Sequence, residues 1–395
     1  MTQTHKLLPV AGLTVVLLAS ISACSKSEQA ESPTVASPEA NISETTTSDT
    51  AVSAKAAFEE AAFEEVSQSG FEPARNSLGQ PDIQGIWDFR TLTPLERPKN
   101  LADKAIFSEE EAEAFRQQTV QVNDTDNKKD LDLPAAFDVE VPYNNFWLDY
   151  GTEMNEDGRT SLIVDPQNGR LPELTPEALE GLKSNLLRVP PVRDIVSIGL
   201  TTFRPAGPET LGLSERCLLG FNAGPPLIPS AYNNNLRIVQ TPKHILLFTE
   251  MIHDARVVRM EDAAQLSSDL RKWTGDSRGR WEGNTLVVET MNFTDKTPAF
   301  QLPLDLTDPS RNGAAGSGKN MKLTERFTLI SKTRLGYEYT VDAPDTFASA
   351  FTVAIPMRLT DEQIFEYACH EGNHAMEGML GGARQMEKEE ASAAL

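Results

Sequence analysis

Cysteine is scarce in this chain, positive charge is outnumbered, and long apolar runs are missing. There are three cysteines, and 36 Lys and Arg stand against 58 Asp and Glu, a formal charge of −22 in 395 residues. No basic run occurs anywhere, which argues against nucleic-acid binding, because neutralising a phosphate backbone takes clustered cations. The acidity serves solubility instead. No apolar stretch approaches the roughly 20 residues a permanent membrane-spanning helix needs.

What is present begins with a short apolar run, Leu7–Ile21, behind His5 and Lys6. Its length and position suit the h-region of a signal peptide. It ends Ile21-Ser22-Ala23-Cys24, which resembles the lipobox of bacterial lipoproteins, with Cys24 as the lipidated residue. The resemblance implies a signal peptide over 1–23 and, with Ser25 after the cysteine, an outer-membrane anchor. The bland alternative is an ordinary signal peptide with a chance cysteine. Residues 24–75 read as an acidic disordered tether: Ser25–Arg75 carries ten acidic and three basic residues and few large apolar ones. Cys217 and Cys369 remain for the folded part. In an oxidising compartment they suit a disulfide closing a loop of about 150 residues, worth on the order of 4 kcal/mol; the alternative is two buried thiols.

From residue 76 to 395 a single β-rich domain is expected. Its first part, 76–230, carries helices and loops. Ile83–Phe89 and Arg159–Asp165 alternate as strands. Ser108 and Glu111 form a capping box for one helix, and Thr175-Pro176 opens another that runs to about Arg188. Asn123–Asp132 reads as loop. Over 236–370 strand patterns follow at short spacing: Arg237–Thr241, His244–Arg259, Arg278–Glu282, Thr285–Met291, Lys322–Ile330, Tyr337–Val341, Ala350–Met357 and Gln363–Cys369. This is a mainly β chain, an antiparallel meander closed into a barrel or a strongly curled, calycin-like sheet, with peripheral helices. Asp305–Lys319 reads as a surface loop and 381–395 as a charged tail of helical composition.

Leu270–Thr297 is the densest stretch for chemistry. Gly283-Asn284 between two strand patterns suits a two-residue hairpin turn. That register pairs Trp281 with Leu286, Gly279 with Val288 and Ser277 with Thr290 on one face. Arg278, Arg280, Glu282 and Glu289 fall on the other. The charged face is either a solvated exterior or the lining of a cavity.

Gly275-Asp276-Ser277-Arg278-Gly279 matches G-x-S-x-G, but the nucleophile elbow needs a helix after the serine and a strand pattern follows instead. A serine bonded to its own loop competes with Ser277 as a nucleophile. His370-Glu371-Gly372-Asn373-His374 spells H-E-x-x-H. Gly372 lies inside the required helix, so a zinc site of His370, His374 and His253 is the minor alternative, and no cofactor is expected. Glu250, Asp254 and Arg256 at even spacing share a face if 244–259 is one strand, with His253 opposite. Tyr232, Asn233 and Asn292 sit in loops of the kind that border ligand pockets.

Several of these strings occur together: Glu215-Arg216-Cys217, Asn222 to Pro226, Ile252-His253-Asp254-Ala255-Arg256, Gly275–Thr290, Glu325-Arg326-Phe327 and Tyr367 to Asn373. In this the chain resembles a large family of secreted bacterial proteins of unassigned function, over about residues 80–385. The family has Asp where Asn284 stands and an aromatic where His374 stands. The resemblance implies the domain boundaries and no catalytic roles.

Three functions are open. The first is an enzyme of the cell envelope, anchored at the outer membrane and facing the periplasm. It would carry out acid–base chemistry (hydrolysis, elimination or isomerisation) on a small organic molecule or saccharide. Its candidate catalytic residues are His253, Asp254, Arg256, Asp276, Ser277, Glu325 and His370. Trp281, Arg278, Arg280, Glu282, Tyr232, Asn233 and Asn292 are the candidates for binding substrate. The second is a lipocalin-like, non-catalytic carrier of an apolar molecule. The third is an envelope assembly protein with a protein partner.

Overall fold

A computed structural model describes residues 71–124, 145–181, 205–260, 264, 266–302 and 313–393. The expected signal peptide, Cys24, most of the tether, most of the Asn123–Asp132 loop and the helix beyond residue 181 lie outside the described residues. The first strand, β1 (Gly85–Asp88), comes from an alternating segment that puts Trp87 inward, only 1 % exposed. Helix α1 (Glu109–Asn123) starts at the expected capping box: Ser108 Oγ accepts from the Glu111 amide, and the Glu111 carboxylate accepts from the Ser108 amide. Its acidic first turn faces the positive end of the helix dipole. The hydrogen bond from Lys104 then holds the Glu111 carboxyl down at about 2. The second strand pattern, Arg159–Asp165, gives β2 (Ile163–Asp165).

The remaining strands are β3 (Asn235–Gln240), β4 (His244–Thr249), β5 (Ala255–Met260), β6 (Asp276–Glu282), β7 (Thr285–Met291), β8 (Phe300–Leu302), β9 (Gly313–Ala315), β10 (Lys322–Ser331), β11 (Arg334–Asp342) and β12 (Phe351–Thr360). They run in the order β1-β3-β4-β5-β6-β7-β10-β11-β12, and β1 also pairs with β12, so nine strands close into a barrel. Closure leaves no free edge along that ring. Strand β2 joins the first part of β12, and β8 and β9 form a separate pair.

Four sequence expectations are corrected. The meander is not wholly antiparallel: β5 and β6 run parallel, a pairing that a tight hairpin cannot make. His244–Arg259 is not one strand. The chain reverses at 250–254 into the antiparallel β4–β5 hairpin, so Glu250 does not share a strand face with Arg256. Gln363–Cys369 forms no strand, and part of the expected 305–319 loop is β9. After β12 the chain crosses to the disulfide Cys217–Cys369 and then enters helix α2 (His374–Ala393).

The β6–β7 hairpin has the expected register, with Trp281 opposite Leu286, Gly279 opposite Val288 and Arg278 opposite Glu289. Gly283 supplies φ +61 at the first turn position, a conformation that costs an L-residue more. Leu286, Val288 and Thr290 are fully buried, so their face is the interior. Gly279 lacks a side chain for a reason: a Cβ there would come 2.7 Å from Met260 Sδ and 2.8 Å from Val258 Cγ1. Inward residues of the other strands, among them Phe327, Leu335, Val353, Ile355 and Met357, complete one apolar core. The barrel interior is packed with side chains.

The disulfide closes a separation of 152 residues. Its reduction is expected to lower unfolding stability by about 4 kcal/mol through the freed chain entropy of the unfolded state. Guanidinium titrations with and without reductant measure this; coincident midpoints would contradict it.

Candidate functional site

Arg256 faces inward near the start of β5, beside the equally buried Val258 and Met260. Glu325 on β10 is 0 % exposed, and its carboxylate takes both ends of the guanidinium: Nη1 donates to Oε2, and Nη2 donates to Oε1 at 2.7 Å. Such a fork-on-carboxylate pair fixes both orientation and charge. Tyr337 on β11 donates to Glu325 Oε1 at 2.8 Å and accepts from the Leu227 amide at 3.2 Å. Nη1 also reaches Thr290 Oγ1 at 3.3 Å and Ser277 Oγ at 3.4 Å, and those hydroxyls lie 2.9 Å apart. Five strands thus supply one polar cluster inside an apolar barrel.

The electrostatics follow from burial. Burial opposes the Arg256 charge, but Glu325 overrides it and the guanidinium is held more firmly protonated than usual. Burial, reinforced by the Glu325 charge, pushes Tyr337 and Tyr339 well above the ordinary phenol range. Tyr339 stands directly opposite Glu325 in the register, yet its hydroxyl has no hydrogen-bond partner among the described residues. A buried unmade hydrogen bond costs about 1–3 kcal/mol.

Next to this cluster, the 250–254 turn forms one rim of the barrel. Ile252 and His253 take φ +58 and +43, consecutive left-handed conformations in non-glycine residues. For a β-branched residue this is a true outlier, and strain of about 1–3 kcal/mol per residue persists only where the surroundings over-determine it. Here Thr249 clamps the turn through its amide to Asp254 O at 2.9 Å. Met251 and Ile252 are buried against Ala223, Phe221, Tyr232, Tyr367 and Cys369.

The segment 361–373 is tied across this rim. The Phe365 amide donates to Glu250 Oε1 at 3.3 Å, while Glu250 Oε2 accepts from Asn235 Nδ2 at 2.8 Å. His253 Nδ1 lies 2.9 Å from Tyr367 O. A carbonyl can only accept, so Nδ1 carries a proton; whenever the ring is neutral, Nε2 is its bare nitrogen. Asp254 is half-buried beside it. Burial raises its carboxyl above the ordinary range, against the lowering pull of Arg256, the Ala255 amide and His253.

The structure therefore joins Arg256, Ser277 and Glu325 inside the barrel, with His253 and Asp254 next to them at the rim. It does not bring in the other two catalytic candidates. Asp276 is buried on the outer side of β6, held by Arg259 Nη2 at 2.6 Å and Lys272 Nζ at 3.5 Å. His370 is exposed in the turn before α2. Ser277 has a hydroxyl and a guanidinium as its hydrogen-bond neighbours and no general base, so it lacks what a nucleophile requires. Arg256 spends its fork on Glu325, which leaves it no free face for a substrate anion.

Among the binding candidates, Arg278, Arg280 and Glu282 do not line a cavity. They face outward, because inward residues of β6 alternate with them; Arg280 pairs with Glu282 and Glu289, and Arg326 with Glu282. Trp281 packs against the core from the inward side. Tyr232 stacks edge-on with Phe221 at 5.5 Å, close to the rim. Asn233 and Asn292 occupy left-handed backbone positions at φ +55 and +59, and Asn292 Nδ2 ties down the Leu266 and Ser267 carbonyls. Both act as loop formers, a role asparagine tolerates better than other residues.

The minor zinc reading loses its framework. A zincin helix must carry both histidines one turn apart, but α2 begins at His374 and leaves His370 in the preceding turn. Among the described residues no group of three His, Cys, Asp or Glu is arranged to hold a metal. No described helix is long and apolar enough to cross a membrane. A shallow surface groove along α2, lined by Asn373, Met376, Leu380 and Arg384, lies apart from the cluster.

Tyr337 and Tyr339 join the site without having been among the residues expected there from sequence. Their signal was present: two tyrosines at even spacing after the turn that follows Glu325. It needed the β10–β11 register to be useful.

Fold and site together define a class: a closed, mixed β-barrel with a filled interior, a buried Arg–Glu–Tyr cluster and a strained rim beside it. Compared with known proteins, the chain matches no family model, no curated protein and no solved structure.

Two outcomes follow from the geometry. Glu325→Gln keeps the shape but strands a buried cation, and is expected to cost about 3–5 kcal/mol, whereas an Arg256→Met/Glu325→Leu double variant recovers much of that loss. Urea unfolding measures both; equal losses would contradict the charge explanation. For Asp254, the folded state binds its proton more tightly than the unfolded state does, so this group's stabilisation is present at low pH and lost as pH rises through the raised folded value. Asp254→Asn should therefore be more stable than the parent at pH 7, with the gap closing below the ordinary Asp range. A destabilised Asn variant at pH 7 would overturn this reading.

Proposed function

We propose that the protein is an envelope enzyme doing acid–base chemistry at the barrel rim. Asp254 acts as the proton donor and His253 Nε2 as the proton acceptor. The observation that carries this is the pairing of a carboxyl pushed toward its neutral form with an adjacent histidine of fixed tautomer, both on a strained turn. Perturbed titration and backbone strain cluster where chemistry is done. A donor must be protonated and an acceptor bare at the same pH, and the burial of Asp254 favours the donor's half of that division. Arg256 and Glu325 then serve as a fixed charge base beneath the turn rather than as groups touching substrate.

The substrate proposed is a small organic molecule or saccharide resting against Tyr232 and Tyr367 at the rim. The carrier alternative needs a hollow barrel, and the packing of inward side chains speaks against it. Cys24 is proposed as a lipidated anchor to the outer membrane, with the acidic tether holding the domain on the periplasmic side.

The full chain, screened against chromogenic esters, glycosides and uronides, should turn over one class. Activity should fall as pH rises through the Asp254 midpoint, and Asp254→Asn should lose about 100-fold or more while keeping the stability gained above. Turnover unchanged in Asp254→Asn would refute the assignment. Palmitate labelling that persists in Cys24→Ser would refute the anchor.

A further inference from the structure

Charges with little exposure are paired almost throughout the described residues. Arg256 has Glu325, Arg259 has Asp276, Arg90 has Asp88 and Arg159 has Asp157. Among the buried arginines, Arg97 is the exception. It is 5 % exposed, yet it forms no ion pair, in a chain with 58 carboxylate side chains to choose from. Its Nε donates to Thr160 Oγ1 at 2.9 Å and one Nη2 hydrogen goes to Gln167 O at 3.1 Å. The Thr160 hydroxyl spends its own proton on the Lys104 and Ala105 carbonyls, so its lone pair is what faces the guanidinium.

Among the described residues Nη1 has no hydrogen-bond partner, and it is not sealed from the surface. The loop at 166–170 presses on the other edge: Arg97 N donates to Gly169 O at 2.7 Å, and a Cβ on Gly169 would lie 3.1 Å from Nη2. Two charges act on Arg97 through space: the Asp103 carboxylate, the stronger of the two, favours the guanidinium charge, and Arg170, half-buried and without a side-chain partner among the described residues, opposes it.

Taking a guanidinium out of water without a counter-charge is costly, and its five N–H donors in a rigid fork suit a planar or tetrahedral oxyanion. The Arg170 charge adds to that cost, the Asp103 charge offsets part of it without forming an ion pair, and an anion bound at the open edge removes the remainder. We propose that the open Nη1 edge of Arg97, with Arg170 as the second cation, is a binding site for an oxyanion, a phosphate or carboxylate group of a ligand. The site is independent of the rim and of the chemistry proposed there.

The test uses the full chain, with sodium phosphate or sodium acetate titrated at constant ionic strength and chloride as the reference anion. A saturable rise in Tm and binding heat are expected with at least one of the two. Binding to phosphate alone identifies a tetrahedral group, and binding to acetate identifies a carboxylate. Arg170→Gln should weaken that binding at least tenfold; so should Arg97→Lys, which keeps the charge but loses the fork. If Arg97→Lys does not fold, Arg170→Gln decides, because the Arg170 side chain makes no hydrogen bond or ion pair among the described residues. No saturable effect of either anion, or an effect that survives Arg170→Gln, overturns the proposal.

Discussion

A bidentate contact between Arg256 and Glu325 is the constraint on which the barrel depends. It joins β5 to β10, which are not neighbours in the sheet, across an interior otherwise filled with Phe, Leu, Val and Ile. Apolar packing alone has no direction. The ion pair, with Tyr337, Ser277 and Thr290 around it, gives this interior one arrangement in which the polar groups are satisfied. Breaking one side leaves a charge stranded in a core, which is why the pair matters more to uniqueness than to net stability.

From that pair the functional proposal follows by proximity. Arg256 lies two residues after Asp254, and Asp254 follows two left-handed residues that the loop at 217–235 and the segment 361–373 hold in place. The disulfide fixes that segment beyond the turn, so strain at Ile252 and His253 is maintained by covalent and packed neighbours rather than by the turn itself. Rigid support on one side and exposure on the other is the condition under which a strained turn can carry chemistry.

Much of the barrel could be read from alternation and turn residues. Gly283-Asn284 set the β6–β7 register residue by residue, because a two-residue turn leaves no freedom in which side chains oppose one another. The disulfide was legible once Cys24 was set aside. The reversal at 250–254 was not: Met251 and Ile252 are as apolar as the strands they separate, and nothing like Gly or Pro marks the bend. Likewise, the outward aim of Arg278, Arg280 and Glu282 depended on which face meets the core, and alternation alone leaves that sign open. The Glu325–Tyr337–Tyr339 grouping depended on register across Lys332–Gly336, and the parallel β5–β6 pair on a crossover that sequence does not announce.

Carboxyl 13C shifts of Asp254, followed through a pH titration of the full chain, test most directly whether the rim is poised for acid–base work. The expected midpoint lies above the ordinary aspartate range and moves upward again when Arg256 is replaced by Met, since the guanidinium is the first of the groups pulling it down. A midpoint at or below the ordinary range would contradict the central assignment and leave the strained turn as a feature of folding alone.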